Sequence, residues 1–140
     1  MNEKTKRIKI DEAFIAFSTA CVDQPDFAMA YYKRGKCYMM MHDYKRALYD
    51  FSAAILNETR SASLQMSRFS SVKDEGGNAR FYMCGGQCNY YLGQYEEALA
   101  HYEIALSKDA KNKGSLSGEI YYNKGLANAS LMRYDAAIED

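Results

Sequence analysis

Apolar residues recur three and four positions apart along most of this chain, over windows of about a dozen residues. Such spacing places them on one face of an α-helix, and no stretch alternates apolar and polar residues long enough to indicate a strand. The pattern therefore predicts an all-α chain. Helices are expected at about residues 11–23, 28–41 and 44–57, and again in pairs from residue 79 onward.

Small and aromatic residues mark these helices at fixed offsets. Ala13, Phe17 and Ala20 recur 34 residues later as Ala47, Phe51 and Ala54, and the pattern returns as Ala98, Tyr102 and Ala105, with Ala137 opening a partial copy. Three glycines follow a tyrosine by four residues each: Gly35, Gly86 and Gly125. Small residues let two helix backbones approach while aromatic rings fill the remaining space. The chain is thus predicted to contain copies of one helix-turn-helix unit.

The pattern Tyr31-x3-Gly35-x2-Tyr38, followed by Tyr44-x2-Ala47-x3-Phe51-x2-Ala54, resembles the tetratricopeptide repeat (TPR), a helix-turn-helix unit of 34 residues. The resemblance implies an alpha-alpha superhelix, a right-handed solenoid whose stacked units form a binding surface.

On this basis residues 1–140 are expected to form a single TPR domain. Residues 11–27 would be the second helix of a partial leading repeat, ended by Pro25, the only proline. Two repeats would cover 28–61 and 79–112, a truncated repeat would cover 118–140, and 62–78 would be an insertion. That insertion is interpreted as a lengthened helix with a solvated loop, or alternatively as a segment that docks a partner.

Charge and composition narrow the range of partners. The chain has 18 basic and 18 acidic residues and no long basic tract, so nothing favours nucleic acid. The short basic run 4–9 is interpreted as a solvated flank or a frayed helix end. No apolar stretch approaches the ~20 residues of a membrane span, and the N-terminus lacks a signal-peptide core. We therefore expect a soluble, cytoplasmic protein without nucleic-acid or membrane partners.

The residues that could carry chemistry suggest neither a cofactor nor catalysis. Cys37 and Cys88 follow repeat glycines by two residues, where small core residues are expected. Cys84 and Cys88 are four residues apart on one helix face, but no second pair of cysteines or histidines accompanies them at a zinc-site spacing. The four cysteines are expected to be reduced. The two histidines have no nucleophile or carboxylate beside them in sequence, and no glycine-rich phosphate loop is present. The prediction is a protein that is not an enzyme and needs no metal or cofactor.

The resemblance implies instead that the first helices line a concave groove. Tyrosine and methionine, which suit a binding surface, are frequent at the positions expected to face it. These positions are Met29, Tyr32, Lys33, Lys36, Met39, Met40, Arg80, Met83, Cys84, Gln87, Tyr90, Tyr91, Glu119, Tyr122, Asn123, Leu126, Ala129 and Ser130. Four other tyrosines are assigned to the core: Tyr38, Tyr44, Tyr95 and Tyr134. The predicted function is a non-enzymatic interaction module, or adaptor, whose groove binds a peptide or helix of a partner protein.

Two alternatives stay open. One is a structural scaffold subunit of a larger assembly; its uncapped ends could self-associate, with Phe14, Phe17, Leu131 and Ile138 as candidate contacts. The other is a co-chaperone that clamps the acidic C-terminus of Hsp70 or Hsp90, as members of the resembled family do. The five clamp positions require lysine, arginine and asparagine in that family. Here they hold Tyr32, Lys36, Cys84, Glu119 and Asn123, and a start one repeat earlier retains only Lys33, with Arg80 as a partial match.

Overall fold

The computed structural model describes residues 2–68, 78–111 and 114–139, and within these ranges it contains six helices and no strand. The helices are α1 (Glu3–Asp23), α2 (Ala28–Met40), α3 (Tyr44–Arg68), α4 (Ala79–Tyr91), α5 (Tyr95–Lys111) and α6 (Ser117–Glu139). Consecutive helices pack against each other along the chain. The prediction of an all-α helix-turn-helix solenoid is confirmed.

The contact between paired helices is the one that the small and aromatic residues predict. A Cβ atom added at Gly35 would lie 2.8 Å from a ring carbon of Phe51, and one added at Gly86 would lie 2.5 Å from Tyr102. Phe51 and Tyr102 are buried. Glycine therefore permits α2 to lie close against α3, and α4 against α5.

Each paired unit turns at a residue with a left-handed backbone. His42 has φ 60° between α2 and α3, and Gly93 has φ 77° at the equivalent place between α4 and α5. Left-handed residues end helices because their N–H groups return to the last helical carbonyls: here the amide of His42 donates to Met39 O and that of Gly93 to Tyr90 O.

An ion pair also joins α2 to α3. Arg34 donates from Nε and Nη2 to the two carboxylate oxygens of Asp50, both at 2.8 Å. Asp50 is buried, so the two-pronged hydrogen bonding compensates the loss of its water contacts. The ion pair and the glycine contact together fix how far α2 can slide along α3.

The core consists of two clusters, one on each side of α4. The first lies between α2, α3 and α4 and contains Tyr32, Ala47, Phe51, Ala54, Phe81, Cys84 and Cys88. The second lies between α4, α5 and α6 and contains Ala79, Met83, Ala98, Tyr102, Ala105, Leu116, Ile120 and Ala127. Because both clusters use α4, this helix is the most buried of the six.

Several helices differ from their expected bounds. α1 begins at Glu3, where the side chain of Asn2 accepts a hydrogen bond from the amide of Thr5, so the basic run 4–9 forms its first turns. α3 continues to Arg68 and takes in the first part of the predicted insertion; residues 69–77 lie outside the described ranges. α6 runs from 117 to 139 as a single helix, through the place where the third repeat was expected to turn.

The assignment of Tyr134 to the core is wrong. Its side chain is 60% exposed, because α6 does not turn back and no later helix covers it among the described residues. Tyr38, Tyr44 and Tyr95 are half-buried, since each is covered by a neighbouring helix.

Candidate functional site

α2, α4 and α6 occupy equivalent places in the stack, each carrying its glycine at the same register position. Between them lies a hollow of about 260 Å³, which we call the central hollow. Its walls come from all three helices: Tyr32, Lys36, Met39, Met40, Arg80, Met83, Cys84, Gln87 and Glu119. Residues more than eighty positions apart in sequence thus contribute to one surface.

The floor of the central hollow is an aromatic and sulfur-containing layer. The ring of Tyr32 lies 4.9 Å from that of Phe81 and 5.8 Å from that of Phe51, measured between centroids. Met83 and Cys84 are buried beside it. These side chains are held by core packing, so the floor is rigid and apolar.

The rim of the central hollow is charged. The ammonium groups of Lys33 and Lys36 lie 5.9 and 5.6 Å from the centroid of the Tyr32 ring, within cation–π range. Arg80 on α4 and Glu119 on α6 also line the hollow. Within the described residues no salt bridge engages Lys33, Lys36 or Arg80, so these cations are available to an anionic ligand.

Burial also sets the ionisation of the floor. Desolvation raises the pKa of Tyr32 to about 12, with the neighbouring Cys84 contributing through its charge and a hydrogen bond. Desolvation likewise raises the pKa of the Cys84 thiol, against the opposing effect of the Tyr32 hydrogen bond and of Lys36. Both groups are therefore neutral near pH 7, and the Cys84 thiol is a poor nucleophile.

The residues expected to line the groove fall into three groups. Lys36, Met39, Met40, Arg80, Gln87 and Glu119 are accessible and lie together in the central hollow with the buried Tyr32, Met83 and Cys84. Lys33 lines a neighbouring hollow, described below. The remaining eight do not line the central hollow: Met29, Tyr91, Tyr122, Leu126 and Ala129 are exposed, while Tyr90, Asn123 and Ser130 are half-buried.

Asn123 has one further feature. Its Nδ2 atom is buried and has no hydrogen-bond partner among the described residues. Unmet hydrogen bonds of this kind cost free energy. Because Asn123 lines neither the central hollow nor another described hollow, the buried amide is not placed to donate to a ligand there.

A second hollow, of about 360 Å³, lies between α1 and α2, and we call it the α1 groove. Its apolar floor is formed by Ile10, Ala13, Phe17, Cys37 and Met40, and all four charged residues that line it are lysines: Lys6, Lys9, Lys33 and Lys36. The run 4–9, interpreted from the sequence as a solvated flank or a frayed helix end, is exposed, and its Lys6 and Lys9 also line this groove, which the sequence did not predict. The spacing of Lys6, Ile10, Ala13 and Phe17 on one helix face is the signal that could have indicated it.

The four cysteines are free and buried, and the described ranges hold no group of three His, Cys, Asp or Glu side chains placed to bind a metal. None of the described helices is both long and apolar enough to cross a membrane. What the site offers is an apolar floor with a cationic rim, which suits non-covalent recognition of a chain segment.

Comparison with known proteins agrees with the architecture. Residues 89–140 match the family described as "Tetratricopeptide repeat". Among solved structures, the TPR2B domain of yeast Sti1 in its pHsp70 complex superposes with a TM-score of 0.71, at 21% identity, over 91% of this chain and 89% of that chain. At that identity the likeness concerns the fold. No curated protein matches the sequence.

Proposed function

Because residues 89–140 match the tetratricopeptide repeat family and the chain has the fold of a TPR domain, we propose that it is a non-enzymatic adaptor whose concave surface binds a peptide or helix of a partner protein. The observation that carries the proposal is the central hollow, where α2, α4 and α6 contribute an apolar floor and a predominantly cationic rim. The structural relative from yeast is itself a TPR domain in complex with pHsp70. Protein or peptide partners are the kind of ligand that this fold accommodates.

The chemistry of the central hollow favours a particular class of segment. Lys36 and Arg80, together with Lys33 at the edge, attract carboxylates, while Glu119 on α6 supplies one negative charge. Tyr32, Met39 and Met83 offer apolar and polarisable contact area. The preferred ligand is therefore a segment with one or two acidic residues next to an aromatic or aliphatic side chain.

A peptide-display selection on the immobilised protein tests this. We expect enrichment of acidic-apolar segments, and we expect the double variant Lys36→Glu with Arg80→Glu to lose them by tenfold or more, since ~1.4 kcal/mol of binding free energy corresponds to that factor. The matched control is Lys45→Glu with Arg60→Glu, two exposed positions on α3 that do not line the central hollow.

Charge reversal at accessible positions is chosen over substitution of Met83. Met83 is 4% exposed and belongs to the core, so a charge there would unfold the protein rather than probe binding. Equal selection by the hollow variant and its control would contradict the proposal, as would the absence of any enriched peptide.

The co-chaperone alternative is tested in the same assay. The structural relative bound to pHsp70 favours it, but Cys84 and Glu119 occupy positions where the family clamp requires asparagine and lysine. We expect a Glu-Glu-Val-Asp peptide to bind no better than its scrambled form in a calorimetric titration. Saturable micromolar binding of the ordered peptide alone would make the chain a chaperone adaptor.

A further inference from the structure

Three charged side chains line the central hollow, and they differ in sign. Lys36 on α2 and Arg80 on α4 are cations, whereas Glu119 on α6 is an anion. Among the described residues, no salt bridge engages any of the three. A ligand in the central hollow therefore meets two cations and one anion, none of which is neutralised by a fixed partner within that part of the chain.

Arg80 and Glu119 lie at the same level of the stack. Each precedes the glycine of its own helix by six residues, Gly86 in α4 and Gly125 in α6. Lys36 instead follows Gly35 by one residue, so its backbone lies about two turns further along the direction of the helices. The negative charge is thus confined to the start of α6, whereas the positive charge is distributed over α2 and α4.

The anion acts on the same floor as the cations. Desolvation is the main cause of the raised pKa of Tyr32 and of Cys84, and in both cases the charge of Glu119 adds to the rise while that of Arg80 opposes it. The carboxylate of Glu119 and the guanidinium of Arg80 are therefore within electrostatic reach of the same two side chains. A bound segment would meet both charges.

We infer that the segment bound in the central hollow is dipolar: it places an acidic side chain towards Lys36 and Arg80, an apolar side chain on the floor, and a basic side chain towards Glu119. Glu119 is the residue that determines this specificity. The inference rests on the proposed function and specifies its ligand, because the acidic-apolar segment must carry a basic residue as well.

A purely acidic segment would satisfy only part of this site. It would pair with Lys36 and Arg80, but its own negative charges would lie near Glu119, and like charges brought together at a binding surface repel each other. The bound segment would also displace water from the Glu119 carboxylate without replacing it, which penalises the wrong ligand. A basic side chain removes both costs. It also sets the direction of binding, because only α6 supplies the anion.

Glu119 also lies in the first turn of α6, where a negative charge favours the helix N-terminus. α5 offers a matched control for this effect. Glu97 is the third residue of α5 as Glu119 is of α6, it is likewise exposed, and it does not line the central hollow. Glu97→Lys therefore repeats the helix effect of Glu119→Lys without changing a charge in the central hollow.

Peptide-display selection on the wild type and these two variants tests the inference. On the wild type and on Glu97→Lys, we expect enriched segments in which lysine or arginine recurs at a fixed separation from the acidic residue. On Glu119→Lys, the acidic residue should remain and the basic one should no longer recur.

A charge exchange then measures the coupling directly. One enriched peptide is synthesised in two forms, with its basic residue intact or replaced by glutamate, and both are titrated calorimetrically. The exchanged peptide should bind the wild type about tenfold more weakly or worse, and it should recover its affinity on Glu119→Lys but not on Glu97→Lys. Such a recovery requires direct pairing, since a purely structural role of Glu119 would weaken both peptides alike.

Four results would overturn the inference and leave the proposed function intact: acidic-apolar peptides without a recurrent basic residue on the wild type, a basic preference that survives Glu119→Lys, loss of that preference on Glu97→Lys, or equal gains of the two synthetic peptides on Glu119→Lys. The last is expected if Glu119 merely weakens the pull of Arg80 on carboxylates. The absence of any enriched peptide would contradict the proposed function itself, and with it the inference.

Discussion

At the scale of single residues, the fold depends on glycines whose missing side chains set the spacing of helices. Gly35 and Gly86 lie against aromatic rings that are almost completely buried, whereas Gly125, at the same register position, faces open space. Sequence alone treats the three as equivalent. The helix contacts require glycine at positions 35 and 86, whereas a Cβ atom at position 125 would meet no other atom of the molecule within 4 Å.

Alanine substitutions separate these roles. Gly86→Ala places a methyl group 2.5 Å from the buried Tyr102 ring, so α4 and α5 must separate, and we expect a loss of about 1 to 3 kcal/mol in the free energy of unfolding. Gly125→Ala introduces no clash and raises helix propensity, so it should gain up to about 1 kcal/mol. Urea denaturation of both variants, at concentrations where the protein is monomeric, measures the difference. Equal effects of the two substitutions would contradict this account of the glycine contacts.

At the scale of elements, α4 is the helix that contributes to both core clusters. It is covered by α3 on one side and α5 on the other, and it brings Cys84 and Cys88 into the cluster with Tyr32. Desolvation raises the pKa of Cys88 to about 12, and that of Tyr32 also to about 12. Ionisation of either group is far easier in the unfolded chain than in the folded one.

Stability should therefore fall in alkali. The pKa values of Cys88 and Tyr32 are higher in the folded protein than in the unfolded chain, so the unfolded chain loses these protons at lower pH. The contribution of the two protonated groups to the free energy of unfolding is therefore complete below about pH 9 and is lost as pH rises towards about 12. We expect Tyr32→Phe to flatten this fall, because it removes one of the buried groups whose pKa is raised while keeping the aromatic ring. Tyr49→Phe, at a position 72% exposed, is the control and should leave the slope unchanged. Urea midpoints across this pH range measure the slopes, and identical slopes for the two variants would refute the assignment to Tyr32.

The sequence predicted the paired helices well because their contacts repeat. Ala47 and Phe51, and again Ala98 and Tyr102, are buried as the 34-residue pattern indicates. It failed where the pattern continues but the chain does not turn: Tyr134 has the offset of Tyr44 and Tyr95, yet it lies exposed in a straight helix. A periodic pattern specifies which face a residue occupies, whereas burial depends on whether another helix covers that face.

The groove was harder to predict than the fold for the same reason. Counting from each glycine gave positions on the first helices, but α4 is covered from both sides, so Met83 and Cys84 became core. On α6, covered from one side, Tyr122 and Leu126 remained exposed. The sequence identified Lys36 and Arg80 as groove residues. It did not predict that the central hollow and the α1 groove are two separate hollows.

At the scale of the whole molecule, the domain is a row of helices in which most contacts join neighbours along the chain. Stability in such a stack is close to a sum of local terms, so it is greatest where a helix has neighbours on both sides. The ends of the row, α1 and α6, each lack one neighbour among the described helices. The molecule is thus expected to loosen from its ends towards α4.

Native-state hydrogen exchange measures this gradient. Amides in the middle of α4 should exchange most slowly, and those of α1 and of the last turns of α6 should open at a free energy lower by at least ~1 kcal/mol. Uniform protection along the chain would instead indicate a single cooperative unit.

The left-handed turns have a consequence for how repeats are counted. His42 and Gly93 each stand two residues before a tyrosine, adopt positive φ, and fold a helical stretch into a hairpin. Met132 holds the same place before Tyr134, but there the backbone stays right-handed and the stretch remains a rod. A unit that turns at this position closes into a hairpin and one that stays helical does not, so two sequences with the same hydrophobic periodicity can form different numbers of complete repeats.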